Sequence, residues 1–124
     1  MGYELRVQRE SPLAYAELSA VTAPVDTGLE LRGTPEAGQV FARHGESEHA
    51  IAIWQGRLYG EPTSDWQVAQ LARLAAMLGG RLAGEDGETY VIRDGIVEQV
   101  SGETTYEFGK LEEILSLGPA QWST

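Results

Sequence analysis

Two short stretches hold the residue types most able to do chemistry, His44-Gly45-Glu46-Ser47-Glu48-His49 and Glu85-Asp86-Gly87-Glu88. In the first, two imidazoles with two carboxylates between them are donors of the kind that ligate zinc or another divalent ion. Against that reading, the His-x4-His spacing matches no familiar site, the segment contains glycine, and the chain has only these two histidines. The second stretch clusters carboxylates as calcium loops do, without the alternating acids or the closing glutamate of an EF-hand. A solvated turn in which Gly87 supplies a positive φ accounts for it more simply. No metal and no cofactor are therefore expected. If the turn acts, it acts as a charged contact surface.

Catalytic constellations are sparse. There is no Gly-rich phosphate loop, no GxSxG elbow and no HExxH. Both histidines fall in one segment, which leaves little for a Ser-His pair. Nineteen acids guarantee that some carboxylates lie close together, so carboxylate acid–base chemistry stays open in principle. No catalytic residue is assigned, and the chain is expected not to be an enzyme.

Net charge is the strongest global feature. Nineteen acidic against nine basic residues leave −10 over 124 residues, with −4 in residues 1–80 and −6 in residues 81–124. Such a surface repels nucleic-acid phosphates and anionic lipids and favours encounter with a basic partner. Solubility is the plainer use of the same charge. The chain has no cysteine, which removes disulfides, thiolate catalysis and cysteine-based zinc sites and suits a reducing cytoplasm. Met1-Gly2-Tyr3-Glu4-Leu5-Arg6 does not read as a signal peptide, and no apolar run approaches the ~18 residues a membrane span needs. A cytoplasmic location is expected.

Periodicity supplies the elements that must position these groups. Tyr3 to Arg9 alternates as a half-buried strand, and Ser11-Pro12 reads as the start of a short helix ending before Pro24. Leu29 to Arg32 and Gln39 to Arg43 are further strands, with His44 to His49 a polar loop. Ala50 to Trp54 and Arg57 to Tyr59 flank Gln55-Gly56 as a two-residue hairpin, which sets Ile51, Ile53 and Leu58 inward and Trp54, Arg57 and Tyr59 outward. The main helix starts at Ser64, with Gln67 completing a capping box and Asp65 facing the positive end of the dipole. Val68, Leu71, Ala72, Leu74, Ala75 and Leu78 form its apolar stripe, and Gly79-Gly80 stop it. Arg81 to Gly84 is a short strand. Asp94-Gly95 joins Thr89–Arg93 to Ile96–Val100, placing Tyr90, Ile92 and Val97 in the core, and Thr104 to Phe108 is the next partner. Lys110 to Leu117 forms a terminal helix stopped by Gly118-Pro119.

The opening Tyr3-Glu4-Leu5-Arg6-Val7, the central Gly56-Arg57-Leu58 and the run from Leu71 to Tyr90, through Leu78-Gly79-Gly80-Arg81-Leu82-Ala83-Gly84-Glu85-Asp86-Gly87-Glu88, make a familiar combination. It resembles small uncharacterised bacterial proteins in which a helix leads into a Leu-Gly-x-x-x-x-Gly-Asp/Glu-Asp-Gly-Glu-x-Tyr-like segment. The likeness covers about residues 56–90, with Glu85 in place of aspartate and Gly80 in place of alanine. Its motifs are structural and carry no catalytic residues across. By analogy of type, proteins of this size and charge look like immunity partners of bacterial toxins, which need a stiff soluble scaffold and a surface complementary to a basic domain.

The expected chain is thus a single α+β domain over residues 1–124, an antiparallel or mixed sheet with two main helices and a short C-terminal one. Its expected role is protein binding, as a cytoplasmic immunity protein neutralising a toxin. Candidate contacts are Glu46, Glu48, Glu85, Asp86 and Glu88, with Trp54, Tyr59 and Trp122 as exposed aromatics. The competing classes are a homo-oligomeric structural or regulatory domain, for which a homodimer stays open, and a small-molecule-binding protein with a deep apolar pocket.

Overall fold

The computed structural model describes residues 3–120. Among them the strands are Leu5–Gln8 (β1), Leu29–Gly33 (β2), Gly38–His44 (β3), Ser47–Trp54 (β4), Leu58–Gly60 (β5), Arg81–Gly84 (β6), Thr89–Arg93 (β7), Ile96–Ser101 (β8) and Thr104–Lys110 (β9). The helices are Tyr15–Thr22 (α1), Asp65–Met77 (α2) and Leu111–Leu117 (α3). The strands form one sheet in the order β2-β3-β4-β5-β1-β6-β7-β8-β9, and every pairing is antiparallel. The chain is α+β, and its sheet is antiparallel rather than mixed.

Two four-stranded meanders, β2–β5 and β6–β9, flank β1, and each is preceded by a helix. Among the described residues only β1 joins them within the sheet, pairing Leu5 with Gly60 on one side and with Gly84 on the other. Strand alternation sends Leu5, Val7, Leu29, Val40, Ala42, Leu58, Leu82, Tyr90 and Val97 to one face, where all are buried. All three helices cover this inner face. Each seats a side chain over a strand position that lacks a Cβ: Tyr15 of α1 at Gly38, Leu71 of α2 at Gly60 and Ile114 of α3 at Gly109. Among the described residues no helix lies on the opposite face of the sheet.

α2 is the best-determined element. Ser64 Oγ accepts from the Gln67 backbone N–H at 3.2 Å, while Gln67 Oε1 accepts from Thr63 N–H, a capping box closed one residue early. At the other end Gly80 N–H reaches Ala75 O and Gly79 N–H reaches Ala76 O, a Schellman stop with Gly79 at φ 74°. Trp66, Val68, Ala69, Leu71, Ala72, Leu74 and Ala75 are all buried, because α3 and the turn before β2 close over the sides of α2 that the sheet leaves free. Arg73 fixes that second contact by donating to Thr27 O at 2.8 Å and to Gln70 Oε1.

Three expectations need correction. α1 begins at Tyr15, not at Ser11-Pro12, and has no side-chain cap. The Arg9 guanidinium collects the Ser11, Pro12 and Leu78 carbonyls and pairs with Glu17, which holds the segment before α1 extended. His44 to His49 is not a loop: β3 and β4 run to a two-residue Gly45-Glu46 turn, with His44 opposite Ser47. The β4–β5 connection has three residues, not two, because Gln55 N–H bonds to Arg57 O. Trp54 therefore pairs with Leu58 and Ile53 with Tyr59. That one-residue shift moves Trp54 into the core and Ile53 to the open face.

Candidate functional site

The connections of an antiparallel sheet gather at its two ends, and here the ends differ in charge. Six segments enter or leave the sheet at one end, residues 3–4, 23–28, 45–46, 61–65, 85–88 and 102–103. They hold nine carboxylates (Glu4, Asp26, Glu46, Glu61, Asp65, Glu85, Asp86, Glu88 and Glu103) and no lysine or arginine, although Arg57 reaches Glu4 across the open face at 3.0 Å. The other end mixes signs, with Arg9, Arg57 and Arg93 near Glu10, Glu36 and Asp94. The acidic turns expected as contacts thus fall together. The Gly45-Glu46 and Glu85–Glu88 turns lie four strand spacings apart along one rim, on the order of 19 Å.

The expected residues are not equivalent within that rim. Glu46, Glu85 and Asp86 are exposed. Glu88 is buried: its carboxylate turns back over Gly84, where a Cβ would collide with it, and accepts from the Tyr3 hydroxyl and the Asp86 N–H. It is a strut of the turn rather than a contact, which corrects its place among the surface acids. Burial, and then the hydrogen bond to Glu88, push the Tyr3 phenol up to about 12. Glu85 braces the same turn by accepting from Glu4 N–H at 3.2 Å. Glu48 points to the open face of the sheet, where both its oxygens take Arg32 Nη2 at 2.8 Å.

The aromatics divide as well. Trp54, expected as an exposed anchor, is 4% exposed, packs on Tyr15 and donates its Nε1–H to Pro35 O at 2.8 Å. It is a core residue. Tyr59 does lie on the open face, half-buried, with the Arg57 guanidinium 4.0 Å from its ring centroid and its hydroxyl donating to Gln55 Oε1. Trp122 lies outside the described residues. His44 and His49 sit on the inner face, each edge-on to Trp66, and His44 Nε2 is 3.2 Å from Ser116 O at the end of α3. Both rings pack the β3–β4 hairpin against α2.

What the residue pattern concealed is the open face itself. Arg6, Arg32, Arg43, Arg57, Arg81, Arg93 and Lys110 belong to it, as do Glu4, Glu30, Glu48, Glu98 and Glu107. Seven of the nine basic residues but few of the nineteen acids share that face, so it carries far less of the chain's negative charge than the rest. The alternation was visible strand by strand; the turn lengths that align it across strands were not. A shallow groove of about 540 Å³ opens at one edge of this face beside Arg32, Gln39, Phe41, Ile53 and Gln55. Among the described residues no helix is long and apolar enough to cross a membrane.

Compared with protein-family models, curated proteins and solved structures, the chain matches none.

Proposed function

We propose that this chain is a protein-binding module of the immunity type, which docks on a basic domain of a toxin-like partner through the acidic end of its sheet and blocks it by occupancy. The observation that supports this reading most is the separation of charge, nine carboxylates and no base on the six segments at one end. Like charges gathered on the ends of a stiff sheet raise the local potential and speed encounter with an opposite surface. Binding of this kind needs no reacting group on this chain. Glu46, Glu85 and Asp86 would meet the partner, with Glu88 and Tyr3 holding the second turn in shape.

The test is capture of partner from the native cell extract by the intact chain and by the triple variant Glu46→Gln/Glu85→Gln/Asp86→Asn. The reading expects a basic protein on the unmodified chain at low salt and its loss from the variant. Equal capture by both, with the same salt dependence, would discard it.

A further inference from the structure

We propose that the open face carries a binding site for a small phosphate monoester, built by Arg57 and Arg81 on either side of Gln8 with Arg6 beside them.

The strands bring these groups together. Gln8 pairs with Arg81 across β1 and β6, while Arg6 pairs with Tyr59 on one side and with Ala83 on the other. Arg57 directly precedes β5 and shares the face of Tyr59, its guanidinium 4.0 Å from that ring's centroid. The β1–β5 register, carried on to Arg57, brings it level with Gln8. Arg6 is therefore a diagonal neighbour of both other arginines, roughly 7–8 Å away along the backbone, within reach of long side chains. Arg57 and Arg81 stand about 10 Å apart across β1. Between them opens a hollow of about 450 Å³, whose lining includes Gln8, Ser11, Pro12, Leu13, Arg57 and Arg81.

The charges of this group are not spent within the chain. Like charges on neighbouring strand positions repel, and nineteen acids are enough to pair every one of nine bases. Yet among the described residues Arg6 and Arg81 take no carboxylate, and Arg57 gives only Nη1, to Glu4 at 3.0 Å. Arg9, which also borders the hollow, is committed to Glu17 and to carbonyls.

Three features select the occupant. Its sign is negative. Donors arriving from three sides suit a tetrahedral oxyanion with three free oxygens, whereas one arginine fork already satisfies a planar carboxylate. The hollow is larger than a phosphate group, and Pro12 and Leu13 give the rest of an ester an apolar wall. Arg57 is ordered in advance by Tyr59 and Glu4, so less freedom is lost on binding. Glu10, exposed at the lip of the hollow, is the one carboxylate in its lining and opposes the anion. The site lies away from the acidic end, so it stands or falls separately from the partner contact.

The test is a titration of the isotope-labelled full chain with phenyl phosphate, inorganic phosphate and benzoate, read from amide chemical shifts at neutral pH. Salt is held at about 0.1 M, which screens the distant acids. Phenyl phosphate should give saturable shifts at Gln8, Ser11 and Arg81 with Kd on the order of 1 mM, inorganic phosphate about tenfold weaker and benzoate weaker still. Arg81→Gln and, separately, Arg6→Gln should weaken phenyl phosphate by about tenfold or more, and Glu10→Gln should tighten it. Arg43→Gln, three strands away on the same face and equally without an ion pair, should change nothing. None of these four side chains is buried, so the variants keep the fold. No saturation by about 20 mM phenyl phosphate overturns the proposal. So do equal losses from Arg81→Gln and Arg43→Gln, which would reduce the effect to general surface charge. Benzoate binding as tightly as phenyl phosphate overturns the choice of phosphate, and inorganic phosphate doing so overturns the choice of an ester.

Discussion

The Tyr3 hydroxyl donates to the Glu88 carboxylate across 85 positions of sequence, tying the segment before β1 to the turn between β6 and β7. Glu88 is buried beneath this bond, so its removal strands a carboxylate away from water. Tyr3→Phe is expected to lower unfolding free energy by about 1–3 kcal/mol, read from urea denaturation at neutral pH. A change of a few tenths would mean that water replaces the phenol without loss.

The same pair has a pH signature. The folded-state phenol stands at about 12 against 10.0 for a free one, raised first by burial and then by Glu88. A raised value means that its contribution is complete below pH 10 and is lost as pH climbs through about 12. Thermal midpoints between pH 9 and 12 should fall more steeply for the unmodified chain than for Tyr3→Phe; parallel curves would place the alkaline loss elsewhere.

Ser64 is buried and its Oγ caps α2. Ser64→Ala should cost about 1 kcal/mol, which in a chain of this size moves the melting midpoint down by about 3–5 °C. Gly at the same position should recover most of it, since the cap tolerates glycine far better than alanine.

Trp54 and Tyr59 separate core from surface. Trp54→Ala empties a buried site and strips Pro35 O of its donor, so about 3–5 kcal/mol of stability should go. Tyr59→Ala should stay within about 1 kcal/mol of the unmodified chain by the same denaturation measurement, because its ring is on the open face. Equal losses would refute the three-residue register of the β4–β5 turn.

Neutralising Glu46, Glu85 and Asp86 should slow association with a basic partner about tenfold at low salt and flatten the dependence on ionic strength, with dissociation little altered. Stopped-flow association at two or more salt concentrations reads both.

Local signals were legible in the residues, and long-range ones were not. Asp94-Gly95 set its hairpin correctly, with Arg93 opposite Ile96 and Tyr90, Ile92 and Val97 turned to the core side, because a two-residue turn of that type admits one register. Ser64 and Gly79-Gly80 bounded α2 for equally local reasons. Gln55-Gly56 offered the same kind of cue, yet Arg57 joined the turn, and one extra residue exchanged the faces of Ile53 and Trp54. The bond between Tyr3 and Glu88 and the gathering of six acidic connections at one end depend on strand order, which no local spacing encodes. The acidic turns were read one at a time; their common end is a property of topology.

Because β1 bridges the two meanders, the first strand in chain order occupies the middle of the finished sheet. Its hydrogen-bonding edges stay unfilled until Leu58–Gly60 and Arg81–Gly84 have emerged from the ribosome, so assembly closes late around this first strand. Refolding from denaturant should accordingly show hairpin formation in each half ahead of amide protection at Arg6 and Val7. A chain lacking its first ten residues would be left as two half-sheets connected through α2.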